Sequence, residues 1–559
     1  FRTGDEFTRP TIETPADQTA DMPRADEFDP LAVFEIANVK TYSIDADANA
    51  AVLKYDSYVH YAEKFNTMED ENIVQAIPNS QSSEWMSKNI PLFDCPDKQF
   101  EEIYYYRWWT LRKHIKRTPV GYGMTEFLVP RSYADRWNLI ACAIGHHINE
   151  TRWLRDQTYL NQILNTWYFG NKETPAAETG MALSKMTKFS SWNPYAVWNA
   201  YKVNGDTAMI NRLLPSLEEE YARWKNTHRL DNGLYWQGDV QDGMEESISG
   251  GRKKQYARPT INSYMAANAF ALAEMESTVN NQQSTVNNQQ STVNSQRSTV
   301  NSYKQEATAL WQLIQDKLWD EKLQFFGTHR GDSLAGVREA IGYMPWYCGL
   351  AQPNSKYDIA WKKLIDPKGF NAPFGLTTAE RRHPLFRSHG TGTCEWDGAI
   401  WPFATSQTLT GLANYLNSTE TPIIGDTVFF NQMLKYAESQ HYRGKPYIGE
   451  YLDETTGYWL MGDRERSRYY NHSTFCDLVI NGLVGIRPAV GNEFEVNPLV
   501  PKDAWDYFCL DNVLYHGRTI TIVYDKNGTH YHQGKGLKVL VDGKVAAQRD
   551  TLGKVKVAL

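Results

Sequence analysis

Asp239, Asp242, Glu245 and Glu246 crowd into one short part of the stretch DNGLYWQGDVQDGMEESISGGRKKQYARPTINS, Asp231–Ser263. Carboxylates this close repel one another, so a loop that holds them costs free energy unless other groups compensate. Gly238, Gly243, Gly250 and Gly251 mark the stretch as loop, with Tyr235 and Trp236 just ahead of it. An acid that can protonate a leaving oxygen, beside flat apolar rings that can meet a sugar face, is what cleavage of a glycosidic bond asks for. A solvated acidic loop has the same composition, so the weight falls on what the rest of the chain sets beside it.

Three further segments have the same character. FLVPRSYADRWNLIACAIG places Asp135 and Trp137 near the start of an apolar run, and HGTGTCEWDGAIWPFATSQ does the same with Trp396, Asp397, Gly398 and Trp401. YIGEYLDETTGYW places Glu450 and Tyr451 ahead of a turn, and SSWNPYAVWNAYKVNGD adds Trp192. Asp135, Asp242 and Asp397 suit sugar hydroxyls, with helix capping as the alternative for each. Trp137, Trp192, Trp236, Trp396 and Trp401 suit sugar faces, with plain core as the alternative for about half of them. His146, His147 and His472 bring a metal to mind, but adjacent His146 and His147 point different ways on a helix. No metal and no cofactor is expected.

The elements that must position these residues are mostly helices. From Asp97 the chain alternates helical patterns with loops. The predicted helices are 97–116, 134–148, 156–169, 193–203, 206–227, 260–275, 305–319, 342–350, 357–364, 398–416, 427–439 and 471–484. Runs such as LIACAIG, apolar all round, suit the inner ring of an (α/α)6 toroid, which is the fold expected over 97–486. Loop-to-helix junctions of such a barrel can gather at one mouth. Residues 1–30 read as a polar tail or linker, and 31–96 as a lead-in region in which VFEIANVKTYSI and AVLKYDSYVHYAEKF could be short strands. From 487 to 559 alternating apolar and polar residues, with turns at Lys526-Asn527-Gly528 and Asp542-Gly543, predict a small C-terminal β-sandwich. STVNNQQ recurs with a period of seven through residues 277–304, with Val as the one apolar residue in most copies. A coiled coil needs two, so this reads as a polar insertion lengthening the link between two helices, without a catalytic role.

Composition sets bounds. The 559 residues can bury a large core, and 18 Trp, 33 Tyr and 22 Phe fit either that core or a sugar-lined cleft. A net charge of −8 argues against a non-specific nucleic-acid partner. No apolar run is long enough to cross a membrane. Cys95, Cys142, Cys348, Cys394, Cys476 and Cys509 lie far apart, in no zinc spacing, and are expected to be buried small hydrophobes. The chain opens FRTGDEF, which permits a removed leader and hence a periplasmic or secreted protein, with the cytoplasm left open. Oligomeric state is not legible.

Laid out in order, these segments resemble the clan G glycoside hydrolases of families 63 and 37, which include processing α-glucosidases and trehalases. Asp242-Gly243-Met244-Glu245-Glu246-Ser247 is similar to the family's acid segment Ser-Gly-Met-Asp-Asn-Ser. Trp396-Asp397-Gly398-Ala399-Ile400-Trp401-Pro402 matches Trp-x-Gly-x-x-Trp-Pro, and 450–457 resembles the base segment Glu-Asn-Tyr-Asp-Pro-x-Thr-Gly. Ala134-Asp135-Arg136-Trp137 keeps part of a Trp-Asp-x-Trp segment, and the Trp192-Pro194 helix looks like another family helix. The resemblance covers 97–487. It implies an inverting, exo-acting glycosidase on oligo- or polysaccharide, α-glucosidase-like, with Glu245 as general acid and Glu450 as general base. Glu stands where the family has Asp, and Glu246 where it has Asn, so a neighbouring carboxylate could be the acid; a β-L-arabinofuranosidase of the same toroid type is the alternative. A raised pKa for Glu245 is expected from Asp242 or Glu246 nearby. Outside hydrolysis, the tryptophans alone would serve a glycan-binding protein. Tyr469, Tyr470 and His472 beside Arg464, Arg466 and Arg468 would serve a polysaccharide lyase.

Loop-closure entropy grows only logarithmically with length, so the repeat is expected to be dispensable. Deleting Ser284–Arg297, two whole repeats, should leave folding and activity nearly unchanged. A loss above about 2 kcal/mol in denaturant melts, the size that needs a core mechanism, would contradict this.

Overall fold

The computed structural model describes residues 51–134, 137–169, 186–286 and 290–559, with backbone alone over 282–286 and 290–297. Two short helices, α1 (Val59–Asn66) and α2 (Ser82–Asn89), lead in. The helical body follows: α3 (Lys98–Lys113), α4 (Ile144–Thr151), α5 (Thr158–Tyr168), α6 (Asn193–Asn204), α7 (Thr207–His228), α8 (Pro259–Val286), α9 (Gln290–Leu318), α10 (Met344–Tyr347), α11 (Pro402–Ser418) and α12 (Asp426–Ser439). Local signals set many of the ends. The Asp97 carboxylate accepts the Phe100 N–H, and α3 closes on Arg112 and Lys113, in keeping with the helix dipole. Asp206 caps α7 through the Met209 N–H; Pro194 opens α6, and Gly205 ends it in the left-handed region at φ 63°. No helix among the described residues is long and apolar enough to cross a membrane.

Several expectations need correction. The AVLKYDSYVHYAEKF stretch holds a helix, α1, and no strand; VFEIANVKTYSI lies outside the described residues. The helix expected over 134–148 begins at Ile144, after a single 3-10 turn at Ala141–Ala143, because Asn138 sits at φ 62° and breaks the regular backbone. The helix expected over 471–484 is helical at its end, as a π-type turn at Leu478–Leu483. The repeat is no featureless link either: α8 runs on to Val286 and α9 starts at Gln290, so the polar heptads extend two helices that pack side by side. Burial is not required for this. The inner ends of both helices are already anchored in the body, so the heptads add turns by propagation and avoid the cost of nucleation.

Strands gather at the C-terminal end. A five-stranded antiparallel sheet runs in the order β1 (Leu92–Asp94), β4 (Tyr507–Tyr515), β5 (Arg518–Asp525), β6 (Gly536–Val541), β7 (Lys544–Arg549). A second sheet holds β2 (Ile486–Arg487), β3 (Glu493–Val496) and β8 (Val555–Ala558). One edge of the large sheet thus comes from the lead-in region, with Leu92 opposite Asp511. The fully buried Asp511 carboxylate also accepts the backbone N–H groups of Ala51, Val52 and Leu53 and the Thr521 hydroxyl. The His516 N–H donates to the Val203 carbonyl at the end of α6. At the junction Gly485 (φ 85°) has no room for a side chain, since a Cβ there would lie 2.0 Å from the Asn497 carbonyl oxygen.

The C-terminal sheets are therefore part of the folding unit. A chain ended at Gly485 should be insoluble or inactive, and a soluble, fully active truncation would contradict this. Asp511→Ala should lower stability by about 3 kcal/mol, since it leaves several buried N–H groups unpaired; chemical denaturation measures it.

Candidate active site

Loops that precede helices or link short ladders converge on a cavity of about 380 Å³. Glu245 reaches it from the loop between the ladder strands Trp236–Gln237 and Tyr256–Ala257, just ahead of α8. Trp396 and Trp401 come from the loop that opens α11, and Glu450 from the loop after α12. Tyr470 and His472 come from the segment before the π-type turn, and Glu126 from the loop after the hairpin 115–124. Backbone hydrogen bonds hold these loops to one another: Trp396 N–H to the Glu245 carbonyl (3.1 Å), Asn471 N–H to the Glu126 carbonyl (2.9 Å), Tyr470 N–H to the Ile448 carbonyl (3.2 Å). Ile400 and Leu452 exchange both of theirs. Gly398 makes the motif around it fit, because a Cβ there would lie 2.1 Å from the Arg387 carbonyl oxygen.

Three carboxyl groups share this space. Burial raises the Glu245 pKa to about 7, and the Glu450 charge pushes the same way. Burial also raises that of Glu450, opposed by the Arg466 guanidinium 2.9 Å away. Glu126 is pushed up to about 8 by burial, against a 2.6 Å hydrogen bond from the Tyr470 hydroxyl, with Glu450 and Glu245 adding to the rise. The cause of the raised Glu245 is thus burial and the distant-in-sequence Glu450, where Asp242 or Glu246 was expected. Glu246, at φ 61°, turns its carboxylate to Arg252 at 2.9 Å. His472 is kept neutral by burial, with His146 and Arg107 adding to the effect.

The remaining expected residues divide clearly. Trp396 and Trp401 line the cavity and stack on each other at 4.4 Å, and Tyr451 backs Trp401 at 4.5 Å from the far side. Asp242 does not face the cavity. Its carboxylate is wholly buried against Arg258 (2.7 Å), Thr260 and Ser190, and so anchors the loop that presents Glu245. Asp397 pairs with Arg387 at 2.9 Å and does not cap α11, whose cap is Trp401. Asp453 closes a turn through the Thr455 and Thr456 N–H groups. Trp137 and Trp192 are core, and Trp236 stacks on His228 at 4.4 Å. Asp135 lies outside the described residues. Cys142 and Cys394 are part-exposed in the cavity wall, where buried hydrophobes were expected; the other four cysteines are buried.

Glu126 was not found from the sequence. It has no motif around it, and its one signal is its place ahead of the Asp135–Trp137 segment. Arg466, Tyr470 and His472 stood out only for a different chemistry, and Tyr469 turns away to Glu69.

Comparison with known proteins bears on the arrangement. The family model for the mannosylglycerate hydrolase MGH1-like glycoside hydrolase domain matches residues 136–473, and that for the C-terminal domain of glycosyl hydrolase family 65 matches 487–547. A solved structure titled "Sialidase" is 58% identical with a TM-score of 0.86, and the match covers 99% of this chain and 49% of that one. This chain therefore spans about half the length of that protein. A family 78 rhamnosidase of Bacillus sp. GL1 shares the fold at 13% identity and a TM-score of 0.53, over 78% of this chain and 40% of that one. The MGH1-like match takes in the loops of both Glu245 and Glu450 and more than half of the chain, which thus belongs to the mannosylglycerate hydrolase MGH1-like family of glycoside hydrolases.

Proposed function

We propose that this chain is an inverting, exo-acting glycoside hydrolase in which Glu245 is the general acid and Glu450 the general base. The observation that carries the proposal is the meeting of these two residues, remote in sequence, in one cavity where the Glu450 charge adds to the rise of the Glu245 pKa. A Glu245 pKa of about 7 keeps a proton available for the leaving oxygen near neutrality. The Arg466 guanidinium favours the carboxylate form of Glu450, the form that can activate water. Trp396, backed by the sandwiched Trp401, offers an apolar surface for a sugar, and the neutral His472 a polar group for a hydroxyl. A cavity of about 380 Å³ suits one or two sugar units rather than a polysaccharide chain lying across it. The convergence of so many helix-end loops supports an (α/α)6 toroid with one mouth, in keeping with the family.

Among substrates we favour a terminal α-glucoside-like residue. The second reading, a β-L-arabinofuranosidase, is favoured by one feature: an acid one methylene longer than the Asp of the resembled pattern reaches further into the cavity and suits a smaller ring. The name "Sialidase" describes a protein about twice as long. Of the three cations that line this cavity, Arg466 is paired with Glu450 and Arg252 with Glu246, so a sialic acid carboxylate would find only Lys188 without a carboxylate partner among the described residues. A lyase would need Tyr470 or His472 as its base, whereas burial and Glu126 hold the Tyr470 pKa well above its usual value and burial holds that of His472 well below. A purely binding protein would have no use for buried acids that cost free energy to hold together.

Hydrolysis of aryl α-D-glucosides and aryl β-L-arabinofuranosides, with products identified, tests activity and sugar together; turnover of neither class would overturn both readings. Glu245→Gln should lower turnover of natural glycosides by about 10²–10⁴-fold while sparing in part those with good leaving groups, and Glu450→Gln should abolish both. Proton NMR of the first-formed product should show inverted configuration, which requires roughly 6.5–9.5 Å between the carboxyl groups; retention would refute the mechanism. The acid works only while protonated, so kcat/KM should fall as pH rises through about 7.

Glu126 gives a separate test. Its folded pKa of about 8 exceeds the unfolded value, so the folded state holds the proton more tightly. Stability is then fullest below the unfolded pKa and declines as pH rises through about 8. Glu126→Gln removes that decline, and the gap between variant and wild-type melting temperatures should widen from mildly acid to alkaline pH. A constant gap would contradict it.

A further inference from the structure

A second cavity, about 270 Å³ and sharing no lining residue with the first, lies between α4, α6, α11 and the segment that leads into β2. Three cations face it, Arg152, Lys202 and Arg487, with one carboxylate, Asp477. Asp477 is engaged by Arg152 at 2.5 Å and by the Trp153 indole N–H at 2.7 Å. Arg487 donates to neutral amide oxygens, of Asn481 at 3.1 Å and Asn414 at 2.7 Å. The Lys202 ammonium has neither a carboxylate nor a hydrogen-bond acceptor among the described residues. Behind the wall, Glu150 is taken up by the backbone N–H groups of Phe475, Cys476 and Asp477, and Glu495, which senses Arg487, is paired with Lys554 at 3.3 Å.

The cavity thus holds more positive than negative charge in a part-buried place, which is costly unless something balances it. Burial, with the Arg152 and Arg487 charges, pushes the Lys202 pKa down to about 7, and burial pushes that of Arg487 down to about 10. Asn149, 7% exposed, lines the cavity with its Oδ1 unpartnered among the described residues. The rest of the wall is rich in amides and hydroxyls, among them Asn199 and Thr410.

We propose that this cavity binds a small hydroxylated oxyanion of monosaccharide size, a sugar acid or a sugar phosphate, with the oxyanion against Lys202 and Arg487 and its hydroxyls against Asn149 and Asn199. Lys202 and Arg487 are the free and the weakly matched cation, so they supply the charge; the amides distinguish a polyol from a simple ion. The site is separate from the glycosidase cavity, and its test does not depend on glycosidase activity.

Calorimetric titration of the whole chain with D-glucuronate and with D-glucose 6-phosphate, with D-glucose as the neutral control, reads it out. Saturable binding of either anion is expected. Binding of glucuronate alone, or of the phosphate alone, identifies which oxyanion the site takes. Lys202→Met should weaken it about tenfold or more, Lys202→Arg should retain it, and the Glu245→Gln, Glu450→Gln double variant should bind as the wild type does. Without ligand, Lys202→Met should melt no lower than the wild type, because it removes an unbalanced charge. Absence of binding by both anions, equal binding of D-glucose, undiminished binding by Lys202→Met, or a lowered melting temperature of unliganded Lys202→Met would each overturn the proposal.

Discussion

Three carboxyl groups in one buried cavity are the constraint on which the rest of this structure turns. Burial raises the cost of ionising Glu126, Glu245 and Glu450, and the Glu450 charge raises it further for the other two. Such an arrangement would relax if the loops could move apart. They are held by groups that do not themselves face the cavity. Asp242 is locked to Arg258 beneath the Glu245 loop, with both side chains fully buried. Asp453 closes the turn behind Glu450, and the carbonyl of Glu245 is tied to the Trp396 loop. A buried pair such as Asp242–Arg258 adds little net stability, but removing one partner strands the other. Its effect is to fix where Glu245 stands.

That Glu245 and Glu450 would meet in one cavity was legible in the sequence, and the identity of their supports was not. Glu245 and Glu450 could be named because short motifs surround them. The spacing of Trp396, Gly398 and Trp401 carried its own physical reason in the close approach of Gly398 to Arg387. Asp242 and Asp397 have residue types that suit sugar as well as they suit arginine, and no local pattern says that Arg258 or Arg387 lies opposite. Glu126 has neither a motif nor a periodic place. It matters only because the chain returns there at Tyr470, a long-range contact that no window of sequence contains.

Helix ends were read well where a capping residue marks them, as at Asp97 and Asp206. They were read poorly where tertiary packing intervenes. The segment from Trp137 to Ile140 is apolar enough for a helix, yet it runs irregularly into the cavity wall, where Ile140 lies. The heptads at 277–304 were judged by what they bury, when the anchored helices on either side already settle their backbone. Strand Leu92–Asp94 could not be assigned to the C-terminal sheet from sequence, since its partner lies at the other end of the chain.

One segment links the two cavities. Tyr470 and His472 face the carboxylate-rich one, and Asp477, Asn481 and Arg487 the cation-rich one. Between them the backbone makes a π-type turn at Leu478–Leu483, a wider helix that is uncommon and tends to occur where function shapes the chain. The buried Glu150 carboxylate accepts the N–H groups of Phe475, Cys476 and Asp477, which the start of this turn leaves without helical partners. Burial holds the Glu150 pKa near 7, with Arg107 opposing, and Arg107 also donates to the Ser473 carbonyl at 2.7 Å. The same few buried polar groups therefore fix both ends of the segment. A shift at one cavity wall would have to be absorbed by this chain of hydrogen bonds, because the packed core around Phe475 and Val479, both wholly buried, leaves it no other room.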